Sequence, residues 1–141
     1  MEFCISTLEE LPVSAKDLLA FIGDDRLVLI NGEMGVGKTT LVQALLKELG
    51  VNHPEGSPTY ALINEYDSNQ FGKIYHLDLY RLKDVDELYD IGIEEVLDEQ
   101  SFCFVEWPDL LLPLLRQDYV ELKLSLENNL SRKISAKKSP R

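Results

Sequence analysis

"LVLINGEMGVGKTTL", residues Leu27–Leu41, decides the fold. Its aliphatic start belongs to a strand over Arg26–Asn31, whose unbroken apolar centre fits a strand covered on both faces. Its end opens a helix over Lys38–Leu49, in which Leu41, Leu45, Leu46 and Leu49 share one face and Gly50 supplies the stop. Between them, Gly32, Glu33, Met34, Gly35, Val36, Gly37, Lys38 and Thr39 fit G-x-x-x-x-G-K-[ST] residue for residue. Glycines let successive backbone N–H groups turn toward one anion, and the helix that follows adds its positive end. In such a loop Lys38 reaches the β- and γ-phosphates, the Thr39 hydroxyl binds Mg²⁺, and Thr40 lies near the α-phosphate. The stretch therefore reads as a nucleoside-triphosphate site. No N-K-x-D segment for guanine is present ("RLKD" at Arg81–Asp84 lacks the asparagine), so ATP is the expected nucleotide.

Working outward, Glu2–Ser6 reads as a short strand and Ser14–Ile22 as a helix with Ala15, Leu18, Leu19 and Ile22 at helical spacing. After the Pro- and Gly-broken loop "VNHPEGSPTY", Tyr60–Tyr66 and Lys73–Asp78 form a hairpin around "DSNQFG". A helix over Asp84–Leu97 is interrupted at Gly92. Ser101–Glu106 is another apolar strand, and "PDLLLPLLR" is a short helical or irregular piece. In "YVELKLSL" Val120, Leu122, Leu124 and Leu126 alternate with polar residues as in a half-buried strand, and Ser131–Lys137 can add an edge strand. Strands alternating with helices predict a three-layer α/β P-loop NTPase fold, its central sheet mainly parallel with one antiparallel hairpin section. Residues 1–141 read as a single P-loop ATPase domain.

The totals narrow the function. The chain has 141 residues, 45% hydrophobic and 28% charged, in the range of a globular domain. No apolar run approaches the roughly 18–20 residues of a membrane helix, and the acidic start "MEFCISTLEE" does not read as a secretory signal. The net charge of −11 argues against strong direct nucleic-acid binding, which draws on a basic surface. Five of the 14 basic residues fall in the acid-free tail Ser131–Arg141, expected to be a solvated, frayed terminus, with contact to an acidic partner or a nearby nucleotide as the alternative. Cys4 and Cys103 both lie in strand-like stretches and read as buried, reduced thiols.

Hydrolysis asks for more than a phosphate loop. Asp78 ends the strand "KIYHLD" and Glu106 ends "FCFVE", and strand ends carry ligand groups in open α/β folds. The two acids read as a metal-and-water pair. Thr59, in the loop "GSPTY" (Gly56–Tyr60), is placed to sense a γ-phosphate through its hydroxyl, with a plain turn as the alternative. His76 either assists or packs, packing being favoured. Arg81 is available to an acid or a phosphate, and Trp107 reads as an apolar wall beside Glu106.

In order, "GEMGVGKTT", "SPTY", "YHLDLYR", "ELYDIGIEE" and "VEWP" resemble the TsaE family, also called YjeE, of bacterial tRNA threonylcarbamoyladenosine biosynthesis ATPases. The resemblance spans about Leu27 to Pro108. It implies a cytoplasmic, slow, Mg²⁺-dependent ATP hydrolase acting with TsaB and TsaD, which meets tRNA only through that complex and resets it between turnovers. By motif it implies Lys38 and Thr39 on phosphates and magnesium and Glu106 beside Thr39 on the metal. It likewise implies Asp78 as the catalytic acid, Thr59 in a switch loop, and Trp107 supporting the site. For the adenine end, "STLEELPVS" leaves Ser6, Thr7 or neither, and Arg132 is the residue of the C-terminal segment set to approach the nucleotide. The rival readings are a small-molecule kinase, against which the five scattered arginines speak, and an ATP-occupancy switch that never hydrolyses.

Overall fold

Leu27–Gly32 lies at the middle of a seven-stranded sheet, where its apolar side chains are covered from both sides. The structure, a computed structural model, describes residues 1–54, 63–128 and 131–139. The strands are β1 (Glu2–Ile5), β2 (Leu27–Gly32), β3 (Ile63–Ser68), β4 (Gly72–Asp78), β5 (Phe102–Glu106), β6 (Tyr119–Leu126) and β7 (Arg132–Ser139), in the spatial order β1-β7-β6-β2-β5-β4-β3. The centre, β6-β2-β5-β4, is parallel, and antiparallel pairs flank it on both sides, β3 on β4 and the ribbon β1-β7-β6. The expected antiparallel hairpin is therefore one of two antiparallel sections.

Alternation along the central strands sends residues to two apolar layers. Val28 and Ile30 of β2, Ile74 of β4 and Phe102 and Phe104 of β5 pack with helices α1 (Leu11–Ile22) and α2 (Lys38–Glu48). Leu27, Leu29, Tyr75, Leu77, Cys103 and Val105 face the other way, onto α3 (Val85–Asp90), α4 (Ile93–Asp98) and the leucines of two 3-10 turns, Pro108–Leu110 and Leu112–Leu114. Truncating a fully buried ring such as Phe104 to alanine costs about 3–5 kcal/mol. An exposed ion pair such as Lys73–Glu65, at 3.8 Å, contributes about 0–1 kcal/mol. The three-layer core, not surface charge, holds the sheet. Among the described residues no helix is long and apolar enough to cross a membrane.

Four details differ from the sequence expectations. Helix α1 begins at Leu11 rather than Ser14, because Pro12 is tolerated in a first turn, where its missing N–H has no partner to lose. The basic C-terminal segment is neither frayed nor an edge: β7 pairs with β6 on one side and β1 on the other. Ile134 and Ala136 enter the core, and Lys133 and Lys138 meet Glu2 (2.9 Å) and Asp25 (3.4 Å). Leu126, beyond the reach of the helix layer, is exposed although it continues the alternation of β6. Cys103 is buried as expected but Cys4 is exposed, since the strand β1 turns that side chain away from the core.

Candidate functional site

Parallel strands end together, so the groups that follow them are brought together. β2 ends at Gly32, β4 at Asp78 and β5 at Glu106, and the ladder sets Asp78 opposite Glu106. A backbone bond from Leu79 N to Glu106 O (3.1 Å) locks the two strand ends in step. Gly32 is needed for close approach: a Cβ there would lie 2.8 Å from Val36 Cγ1 and 3.0 Å from the Leu124 carbonyl oxygen of β6. Gly37, at φ +106, turns the loop into α2 in a conformation that side-chain-bearing residues rarely adopt. The first turn of α2 then presents the N–H groups that no helical carbonyl can reach.

A cavity of about 340 Å³ sits on this loop, lined by Met34, Gly35, Gly37, Lys38, Thr39, Thr40, Asp78, Tyr80, Glu106 and Trp107. It brings together most of the residues singled out from the sequence. Glu33 and Val36 shape the loop from behind, through the turn bond Val36 N to Glu33 O (3.2 Å). A second cavity of about 280 Å³ adjoins the first at Gly37 and Thr40 and is lined by Ser6, Thr7, Leu8, Leu11, Val36 and Arg132, among others. Arg132 reaches the loop itself, its Nε donating to the Val36 carbonyl (3.0 Å). Thr59 and its loop Gly56–Tyr60 lie outside the described residues. Arg81 is exposed in the turn after Asp78.

The charged groups are tightly interlocked. The Thr39 hydroxyl donates to Glu106, 3.0 Å from Oε2 and 3.3 Å from Oε1. Glu106 is 3% exposed, and a buried carboxylate needs such donors. Lys38 is folded back: its ammonium donates to the carbonyl of Gly32 and, at 3.4 Å, to that of Glu33, and sits 3.7 Å from the centre of the Trp107 ring. Burial lowers the Lys38 pKa from the usual lysine value, against the pull of the Glu106 and Asp78 carboxylates. Trp107 is more than a wall. It adopts a left-handed backbone (φ 56, ψ 59) just before Pro108, a strained placement that lays its ring over Lys38 and against Tyr80, 4.9 Å between ring centres. Asp78 is held by its own turn, accepting from Tyr80 N at 3.0 Å.

One contact goes beyond the sequence reading. His76, 0% exposed, places Nε2 2.5 Å from Glu106 Oε2. The ring does more than pack, the role the sequence favours for it: it meets the acid of the neighbouring strand. The available signal was its position two residues before Asp78, which puts it on the same face as that acid. Tyr80 as the support of Trp107 had no such signal, because it follows the strand in a turn.

Among the described residues no group of three or more His, Cys, Asp or Glu side chains is arranged to hold a metal by itself. One carboxylate and one hydroxyl beside a glycine-rich loop is nevertheless a donor set that suits Mg²⁺, which is held through one or two carboxylates together with substrate phosphates. The residues present fit that ion.

Comparison with known proteins bears on the fold and the family. The solved structure described as "Crystal structure of Bacillus subtilus YdiB" superposes with a TM-score of 0.77 at 24% identity, covering 100% of this chain and 86% of that one, a likeness of fold. TsaE proteins, named as tRNA threonylcarbamoyladenosine biosynthesis proteins, are similar in sequence. That of Rickettsia bellii is 37% identical over 86% of this chain and 84% of its own length. Those of Haemophilus influenzae and Bacillus subtilis are 39% and 32% identical over 77% and 90% of this chain, and 75% and 78% of their own. The family model described as "Threonylcarbamoyl adenosine biosynthesis protein TsaE" matches residues 5–134. With the P-loop NTPase fold and most of the chain matched, this protein belongs to the TsaE family.

Proposed function

We propose that this chain binds ATP with Mg²⁺ on the Gly32–Thr40 loop and hydrolyses it slowly, in the cytoplasm, in support of tRNA threonylcarbamoyladenosine biosynthesis. The observation that carries the reading is the hydrogen-bonded pair of Thr39 and Glu106, joined across 67 residues of sequence, beside Asp78 and the glycine loop. The phosphates lie in the larger cavity, where Lys38 leaves the Gly32 carbonyl and the Trp107 ring to neutralise them. Thr39 and Glu106 hold the magnesium ion, which when bound shields the negative charge of the phosphate oxygens. Asp78, one strand away from Glu106, orients the attacking water, and Thr59 serves as the γ-phosphate sensor. The adjoining cavity takes the adenosine, with Thr7 and Arg132 at its rim.

The partners are TsaB and TsaD. A chain of net charge −11 reaches tRNA through such protein contacts rather than by gripping phosphates. The test mixes the chain with TsaB, TsaD and magnesium ATP and follows phosphate release together with complex assembly. Release stimulated by the partners supports the ATPase. Assembly without release supports a switch worked by ATP occupancy, and no response to the partners contradicts the proposal.

A further inference from the structure

We infer that His76 is a positioning residue: its Nε2–H fixes the Glu106 carboxylate in the orientation that serves the metal. This rests on the reading of Thr39 and Glu106 as the magnesium-holding pair. His76 stands on β4 two residues before Asp78, and the β4–β5 ladder sets it opposite Phe104, two residues before Glu106. From there Nε2 lies 2.5 Å from Glu106 Oε2, the oxygen that also accepts from Thr39 at 3.0 Å. Oε2 is gripped twice and Oε1 meets the same hydroxyl at 3.3 Å, so among the described residues the carboxylate plane is set by two elements, β4 and α2.

A packing role does not account for this imidazole. The ring is fully buried on the face shared by Ile74, Phe102 and Phe104, where an apolar side chain would fill the space without a polar cost. Instead the chain keeps a ring whose Nδ1 has no hydrogen-bond partner among the described residues. That sets the tautomer. A proton on Nε2 meets a carboxylate oxygen, whereas one on Nδ1 would bury a donor with nothing among the described residues to accept it. Asp78 does not need the ring, being held by the Tyr80 amide. Hydrogen bonds to a ligating carboxylate orient it, and removing such a partner typically costs metal affinity.

The experiment compares His76→Gln, whose amide nitrogen falls near the position of Nε2, with His76→Asn, whose shorter side chain stops near that of Nδ1. Binding of a fluorescent ATP analogue is measured in EDTA and then across a magnesium titration. His76→Asn should bind in EDTA within about two-fold of the parent and need about 10–100-fold more magnesium to reach half its gain in affinity, while His76→Gln stays within about three-fold. An unchanged magnesium midpoint in His76→Asn, or equal shifts in both variants, overturns the inference. Loss of magnesium dependence in the unaltered protein would instead sink the Thr39–Glu106 reading itself. Because the chain has two histidines, ¹⁵N-detected ring spectra of the unaltered protein give a test independent of variant folding. The Nε2–H tautomer of His76 is expected, and an Nδ1–H tautomer contradicts the proposed contact.

Discussion

Replacing Gly32 by alanine adds one methyl group at the tightest point of the site. Its Cβ would lie 2.8 Å from Val36 Cγ1, 3.0 Å from the Leu124 carbonyl oxygen and 3.3 Å from Leu124 Cβ. The valine methyl can rotate away. The carbonyl cannot, because Leu124 is the ladder partner of Gly32 in the β2–β6 pairing. Overpacking of this kind costs about 1–3 kcal/mol, and the reduced freedom of the unfolded chain returns about 0.4–1 kcal/mol. The net loss is about 1–2 kcal/mol, a fall in Tm of about 3–10 °C for a domain of this size. Because Val36 must also yield, and its carbonyl is the anchor of Arg132, nucleotide affinity falls with stability. The assay is calorimetric melting without nucleotide, with hydrogen exchange of β6 to locate the damage near Leu124. Gly35→Ala is the control: its Cβ meets nothing within 4 Å, so its cost is only the strain of φ +82, with β6 undisturbed. A Gly32→Ala protein that melts like the parent and keeps its nucleotide affinity would refute the close-approach argument.

Two further outcomes follow from burial. Because the folded-state pKa of Lys38 is lowered, there is an alkaline window below 10.5 in which the unfolded chain keeps a proton that the folded chain has released, so this lysine favours folding more as pH rises. Urea unfolding at stepped pH should show the stability of the parent gaining on Lys38→Met through that window and holding a constant difference below it; a falling difference contradicts the burial of the ammonium. Burial pushes the Cys103 thiol up to about 12, while Cys4 is exposed, so an aromatic disulfide reagent at mild alkaline pH should titrate one thiol in the native protein and the second only in denaturant. Two equally fast thiols would contradict the placement of Cys103.

How much of this was legible depended on range along the chain. The glycine loop was readable because strand, loop and helix are contiguous, and each carries its own pattern: Leu27–Ile30, Gly32–Gly37, then Leu41, Leu45 and Leu46. Asp78 and Glu106 were readable because parallel strands display ligands at their ends, so each strand named its acid without knowledge of the other. The bond from His76 to Glu106 was not, since it depends on the register of β4 against β5 across 30 residues. For β7 the strand itself was legible but not its place between two neighbours, because five basic residues in the last eleven mask its two inward side chains, Ile134 and Ala136, and its partners are supplied by β6 and by the far end of the chain. Cys4 was misread for a different reason. Strand alternation gives a period but does not say which face a flanking ribbon will leave uncovered.

The decisive measurement is calorimetric titration of the isolated chain with ATP, with and without magnesium, for the unaltered protein and for Glu106→Gln. If Thr39 and Glu106 hold the ion, the unaltered protein gains affinity with magnesium, and Glu106→Gln still binds ATP in EDTA but loses that gain. Equal magnesium gains in the two proteins, or no ATP binding by the unaltered chain, would contradict it.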